Sequence, residues 1–146
     1  ICIWDNFYAS DYCEPRVTLD KYLPFVGNIP SDISGIMING TGKINLDLLI
    51  LKLYSLGFQS NDFEISDFLC TELHPSFKLI SKYFTFKGSL IKADDFEYVN
   101  EILLNWIHPI KNEIYPYLHL LKFLMQNTGS IDSNFMSRIR LKKRGS

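Results

Sequence analysis

Apolar residues recur at helical spacing through the later two thirds of this chain. After Asn45, a helix-cap type, Leu46, Leu49, Ile50 and Leu53 stand three and four positions apart, and Gly57 is the residue type that follows a helix end. The spacing predicts a helix over residues 45–56. Leu48, Leu51 and Leu56 widen its apolar sector until little solvent face remains, so a central position is expected. A short helix is expected over 66–72, with His74-Pro75 closing it and opening another over 76–87, where Phe77, Ile80, Tyr83 and Phe84 oppose Lys78 and Lys82. The two clearest patterns follow. Phe96, Val99, Leu103, Trp106 and Ile110 form one stripe, predicting a helix over 95–106. Ile114, Tyr117, Leu118, Leu121, Leu124 and Met125 form another over 113–125, with Pro116 near its start. Residues 130–143 make a last amphipathic segment, with Ile131, Phe135, Met136 and Ile139 on its apolar side.

The first 44 residues read differently. Residues 1–16 show no 3.6-residue period and read as an arm that begins with a short strand. Thr18 is placed to cap a short helix with Leu19, Tyr22 and Leu23 on one face, limited by Pro24. Asn39-Gly40, the dipeptide that best accepts a tight primed turn, lies between two apolar runs and predicts a small hairpin over 36–44. The expected fold is thus mainly α: a helical domain of five to seven helices over 17–143, a small β-hairpin, an N-terminal arm over 1–16, and a basic end over 144–146. Gly145-Ser146 reads as a cloning remnant, and the whole as a piece of a longer protein.

Composition supports a packed core. Of 146 residues 47% are apolar, and 11 Phe, 8 Tyr and 2 Trp exclude disorder as the state of the whole chain. The formal net charge of −1 conceals a division. Arg138, Arg140, Lys142, Lys143 and Arg144 are five of the 15 basic residues, which leaves ten against 16 acidic residues in the body. An acidic body repels a phosphodiester backbone, whereas the tail attracts it. Cys2, Cys13 and Cys70 are odd in number and irregularly spaced, so reduced thiols and an intracellular setting, nuclear or cytoplasmic, are expected.

Motifs for chemistry fail on their spacing. Gly40-Thr41-Gly42-Lys43 suggests a phosphate loop, but Met37 stands where the first glycine belongs and Ile44 where the Mg²⁺-binding hydroxyl belongs. His74, His108 and His119 form no zinc spacing, and no C-x-x-C pair completes one. No catalytic residue, cofactor or metal ligand is nominated. Asp94, Asp95, Glu97 and Glu101 crowd the front of one helix, where they favour the positive helix end or form an acidic docking face. Trp4, Phe7, Tyr8 and Tyr12 lie in the arm, beyond the reach of any helical stripe, and are the expected interface aromatics. The leading expectation is a non-enzymatic protein–protein interaction domain, with another protein or a second copy as partner. The alternative is a nucleic-acid-associated helical or winged-helix module that uses Arg138 to Arg144. The same basic run also reads as a localisation signal or a solvated helix end. No segment is apolar over the length needed to span a bilayer.

Overall fold

The computed structural model describes residues 2–9, 14–23, 31–60 and 62–128. Two short strands, β1 (Cys2–Asp5) and β2 (Gly35–Ile38), precede five α-helices: α1 (Ile44–Gln59), α2 (Ile65–Glu72), α3 (Phe77–Ile80), α4 (Phe96–Asn105) and α5 (Pro109–Gln126). Single 3₁₀ turns at Ser81–Tyr83 and Ala93–Asp95 follow α3 and lead into α4. The mainly α class is therefore as expected.

The hairpin is not formed. β2 pairs in parallel with β1, Cys2 opposite Gly35 through Asp5 opposite Ile38, and Asn39 N–H extends the ladder to the Asp5 carbonyl at 2.8 Å. The returning arm is lost because residues 41–43 turn into α1 instead. The Asp47 carboxylate accepts from Thr41 N–H at 2.8 Å and from its hydroxyl at 2.6 Å, and Gly42 takes a φ of +80° that favours glycine.

α1 starts at Ile44, with Lys43 at the cap and no side-chain capping bond of its own. The free amides of Asn45 and Leu46 are met instead by the two carboxylate oxygens of Glu113 on α5, at 3.2 and 2.9 Å. Gly57 does not end the helix, which runs on to Gln59. Its absent side chain admits Tyr22: a Cβ there would lie 2.8 Å from the Tyr22 carbonyl oxygen.

Tyr22 belongs to an extended strap rather than to the expected short helix. Arg16, Val17, Thr18, Leu19 and Tyr22 are buried, and Leu19 N–H bonds the Phe84 carbonyl at 2.7 Å while Asp20 accepts from Phe86 N–H at 3.1 Å. A helix would turn several of these side chains away from the core, so tertiary burial overrides the local cap signal. The expected helix over 76–87 shortens for a similar reason. The Tyr83 carbonyl accepts the Tyr117 hydroxyl and the Tyr83 hydroxyl donates to Asp95, which holds the chain in a 3₁₀ turn after Ile80.

On α4 the buried residues are Val99 and Ile102, followed by Trp106 beyond its end; Leu103 is only partly buried, a correction to the stripe read from sequence. Trp106 has extended backbone, φ −81° and ψ 129°, so it enters the core without continuing the helical register. Lys111 Nζ closes α4 by donating to the carbonyls of Leu103 and Trp106 at 2.7 and 2.9 Å. α5 begins at Pro109, earlier than expected, which places Pro116 in its interior. Its inner face is the one predicted: Ile114, Tyr117, Leu118, Leu121, Leu124 and Met125 are all buried.

Candidate interaction surface

α1 carries two apolar stripes. Leu46, Leu49, Ile50, Leu53 and Tyr54 face the core. Ile44, Leu48, Leu51 and Phe58 face outward at 74, 56, 51 and 48% exposure. Ser55 completes the outer row, whose steps of four, three, four and three residues match the seam by which one helix packs against another. A helix with a fully covered fold position has no reason to carry a second apolar seam into solvent.

Beside that seam lies a cleft. At the first half of α1, Leu48 and Leu49 with Leu73, Pro109 and Ile110 line an open cavity of about 210 Å³. Towards the other end, Leu56, Phe63 and Phe68 form the apolar part of a second cavity of about 330 Å³, rimmed by Glu64, Asp67 and Glu72. The Lys52–Glu72 ion pair, at 3.0 Å, borders both. Lys78 pairs with Asp67, and Lys21 Nζ stands 5.2 Å from the centroid of the Phe63 ring.

One wall of the cleft is fixed by histidine caps. His108 Nδ1 accepts from Ile110 N–H at 3.1 Å, and its ring stacks on Trp106 with centroids 5.0 Å apart. His74 Nδ1 accepts from Ser76 N–H at 3.1 Å and meets the same indole edge-on. Both imidazoles are therefore occupied as backbone caps around Trp106, whose Nε1 donates to the Leu73 carbonyl at 3.2 Å.

Two polar clusters tie the remaining elements together. Asp5 accepts from the hydroxyls of Tyr22 and Tyr54 and from Phe7 N–H, while the Tyr8 hydroxyl donates to the Asp20 carbonyl at 2.6 Å. Burial comes first for all three phenols; Tyr54, Asp20, Tyr22 and Asp5 add to it at Tyr8, Asp5 at Tyr22, and Asp5 and Tyr22 at Tyr54, so all three lie far above the ordinary phenol range. Near α4, Asp95 accepts from Tyr83 at 2.5 Å and from Lys82 at 2.8 Å. Burial raises the Asp95 carboxyl, but the bonds from Lys82 and Tyr83 outweigh it and hold the group below its ordinary value. Burial and the Asp95 bond raise Tyr83. These phenols are kept protonated, and their hydrogen bonds lock core elements.

The residues singled out in the sequence are dispersed. Trp4 is 63% exposed, with its Nε1 on Asn6 Oδ1. Tyr8 is fully buried and offers no contact surface, while Phe7 is partly buried and packs against the core, with centroids 4.7 Å from Tyr8 and 4.3 Å from Phe86. Tyr12 lies outside the described residues. Asp94, Glu97 and Glu101 are exposed on and before α4. Asp95 corrects the expected acidic face, because it is turned inward onto Tyr83 and Lys82. Arg138, Arg140, Lys142, Lys143 and Arg144 also lie outside the described residues. Cys2 and Cys70 are free thiols. Among the described residues no three His, Cys, Asp or Glu side chains are grouped to hold a metal, and no helix is long and apolar enough to cross a membrane.

The outward seam was the feature missed in the sequence. In the sequence Leu48 and Leu51 read as part of an all-round apolar helix, and the alternation of four and three steps through Ile44 and Phe58 is the signal that marks the seam. Comparison with protein-family models, curated proteins and solved structures finds no match.

Proposed function

We propose that this chain is a protein–protein interaction domain whose recognition surface is the outer stripe of α1 with its adjoining cleft. The observation that carries the reading is the row Ile44, Leu48, Leu51 and Phe58, four large apolar side chains kept in water on a helix whose opposite face already serves the core. Contiguous exposed apolar surface costs solubility and contributes nothing to the packing of the described residues, whereas burial against a partner returns roughly 25 cal/mol per Å². The fixed caps at His74 and His108 preorganise the cleft wall, which limits the ordering cost of association.

The test compares affinity capture by the wild-type chain with capture by Leu48→Glu, Leu51→Glu and a control, Leu90→Glu, which alters a still more exposed leucine outside α1. The reading predicts a protein partner retained by wild type and control and lost from both α1 variants, with helical circular dichroism unchanged in all four. Equal capture by all four refutes it.

A further inference from the structure

We infer that the partner segment is an amphipathic α-helix with a basic flank, laid along α1 in the cleft against α2; this rests on the interaction reading above. Three features of the surface specify that occupant.

The first is periodicity. Steps of four, three, four and three from Ile44 to Phe58 give the 3.5-residue repeat into which the side chains of another helix interdigitate. An added strand would instead need unpaired backbone groups at a sheet edge, which α1 does not offer.

The second is the spacing of the cavities. Leu48 lines one and Leu56 the other, so they are separated by about 12 Å along the helix at 1.5 Å per residue. A helix running alongside fills both with large apolar side chains two turns apart, at positions i and i+7. Volumes of about 210 and 330 Å³ accommodate an aliphatic and an aromatic anchor, respectively.

The third is charge. The larger cavity is lined by Glu64, Asp67 and Glu72, and the cations beside it among the described residues are Lys52 and Lys78, paired with Glu72 and Asp67, and Lys21 over the Phe63 ring. Asp67 and Glu72 are held from outside by Lys78 and Lys52 in solvent-exposed pairs, which are weak and readily exchanged for an incoming arginine or lysine. The Glu64 carboxylate makes no hydrogen bond or ion pair among the described residues, and Lys78 acts on it only at a distance. A basic residue beside the second anchor therefore completes this rim. Area argues against self-pairing through the seam alone: its four exposed side chains offer roughly 400 Å², about half of what one partner buries in a stable interface. A helix in the cleft additionally covers Phe63, Phe68, Leu73 and Pro109.

The probe is a fluorescein-labelled 18-residue amphipathic peptide of leucine and lysine, titrated with the intact chain and read by anisotropy. A leucine–glutamate peptide of the same pattern serves as its counterpart. Expected are saturable binding of the lysine peptide, at least tenfold weaker binding by Leu48→Glu and by Leu51→Glu, severalfold weaker binding by Glu64→Lys/Asp67→Lys, and no change in Leu90→Glu. If both peptides bind equally and both are lost in Leu48→Glu, the basic flank is wrong while the interaction reading stands. Binding that survives Leu48→Glu, or no binding, overturns the helix-in-cleft assignment. A light-scattering mass that doubles with concentration and returns to the monomer in Leu48→Glu assigns the face to a second copy. Tighter peptide binding after Arg138→Glu/Arg140→Glu assigns it to the chain's own basic end. Either result overturns the proposal.

Discussion

Replacing Gly57 by alanine sets two calculable effects against each other. In an ordinary helix interior the change stabilises by about 1 kcal/mol, because glycine loses more backbone freedom on folding. At this position the new Cβ would stand 2.8 Å from the Tyr22 carbonyl oxygen, 2.9 Å from its Cβ and 3.0 Å from Cδ1. Tyr22 has little room to yield. Its hydroxyl is bonded to Asp5, and its ring packs at 4.2 Å from Tyr54, 5.1 Å from Phe7 and 5.4 Å from Phe58, centroid to centroid. Overpacking costs about 1–3 kcal/mol, and contacts with a carbonyl and a Cβ belong at the upper end. The expected net loss is about 1–2 kcal/mol, which lowers the urea midpoint by about 1 M for a chain of this size. A Tyr22→Ala background removes the Cδ1 contact and the ring that anchors the strap, while the carbonyl and Cβ remain but are freer to recede, so Gly57→Ala should cost less there than in the wild-type background. A raised midpoint for the single variant, or an undiminished cost in the Tyr22→Ala background, would refute the close packing of strap and helix.

Glu113→Ala should cost about 1–2 kcal/mol in urea unfolding by stripping the borrowed cap from α1, and Glu113→Gln less, since an acceptor remains; equal stability of all three would show the cap to be idle. For Asp95 the folded pKa lies below its ordinary value of 3.8, so the carboxylate's contribution is present above about pH 4 and is lost as pH falls through the lowered value. The stability gap between wild type and Asp95→Asn should therefore narrow on acidification from about pH 5 to pH 2, and a constant gap would contradict the ion pair with Lys82. Tyr8, Tyr22, Tyr54 and Tyr83 have raised pKa values, so above about pH 10 the unfolded chain releases protons the folded one keeps, and stability falls by about 1.4 kcal/mol per pH unit for each. The phenolate absorbance of these four, out of eight tyrosines, should then appear in one cooperative step with unfolding.

The helical faces that depend only on local spacing were legible. The α5 stripe from Ile114 to Met125 is buried as read, because six positions at helical spacing leave one way to turn the helix. What failed depended on partners distant in sequence. Asn39-Gly40 is a good turn signal, but β1, some 30 residues earlier, competes for the edge of β2 and wins. Asn45 was a plausible cap, yet the acceptor comes from Glu113, 67 and 68 positions away. Gly57 resembled a helix stop because sequence does not distinguish a glycine needed for φ from one needed for a neighbour's approach. The candidate surface was obscured in the same way. An all-round apolar α1 admits either stripe as its core face, and only the packing of Leu46, Leu49, Ile50 and Leu53 assigns the other to solvent.

The central claim is that the outer seam of α1 and the adjoining cleft form the recognition surface. Hydroxyl-radical footprinting of the chain, alone and saturated with the partner captured by wild type, tests it at single side chains. The account predicts strong oxidation of Ile44, Leu48, Leu51 and Phe58 in the free chain, and their protection together with Phe63 and Phe68 in the complex, while Leu90 and Trp4 react equally in both. Protection centred on the paired Trp4 and Met37 of the small sheet, or on Tyr98 and Leu104 of α4, with the α1 seam oxidised as before, would contradict it.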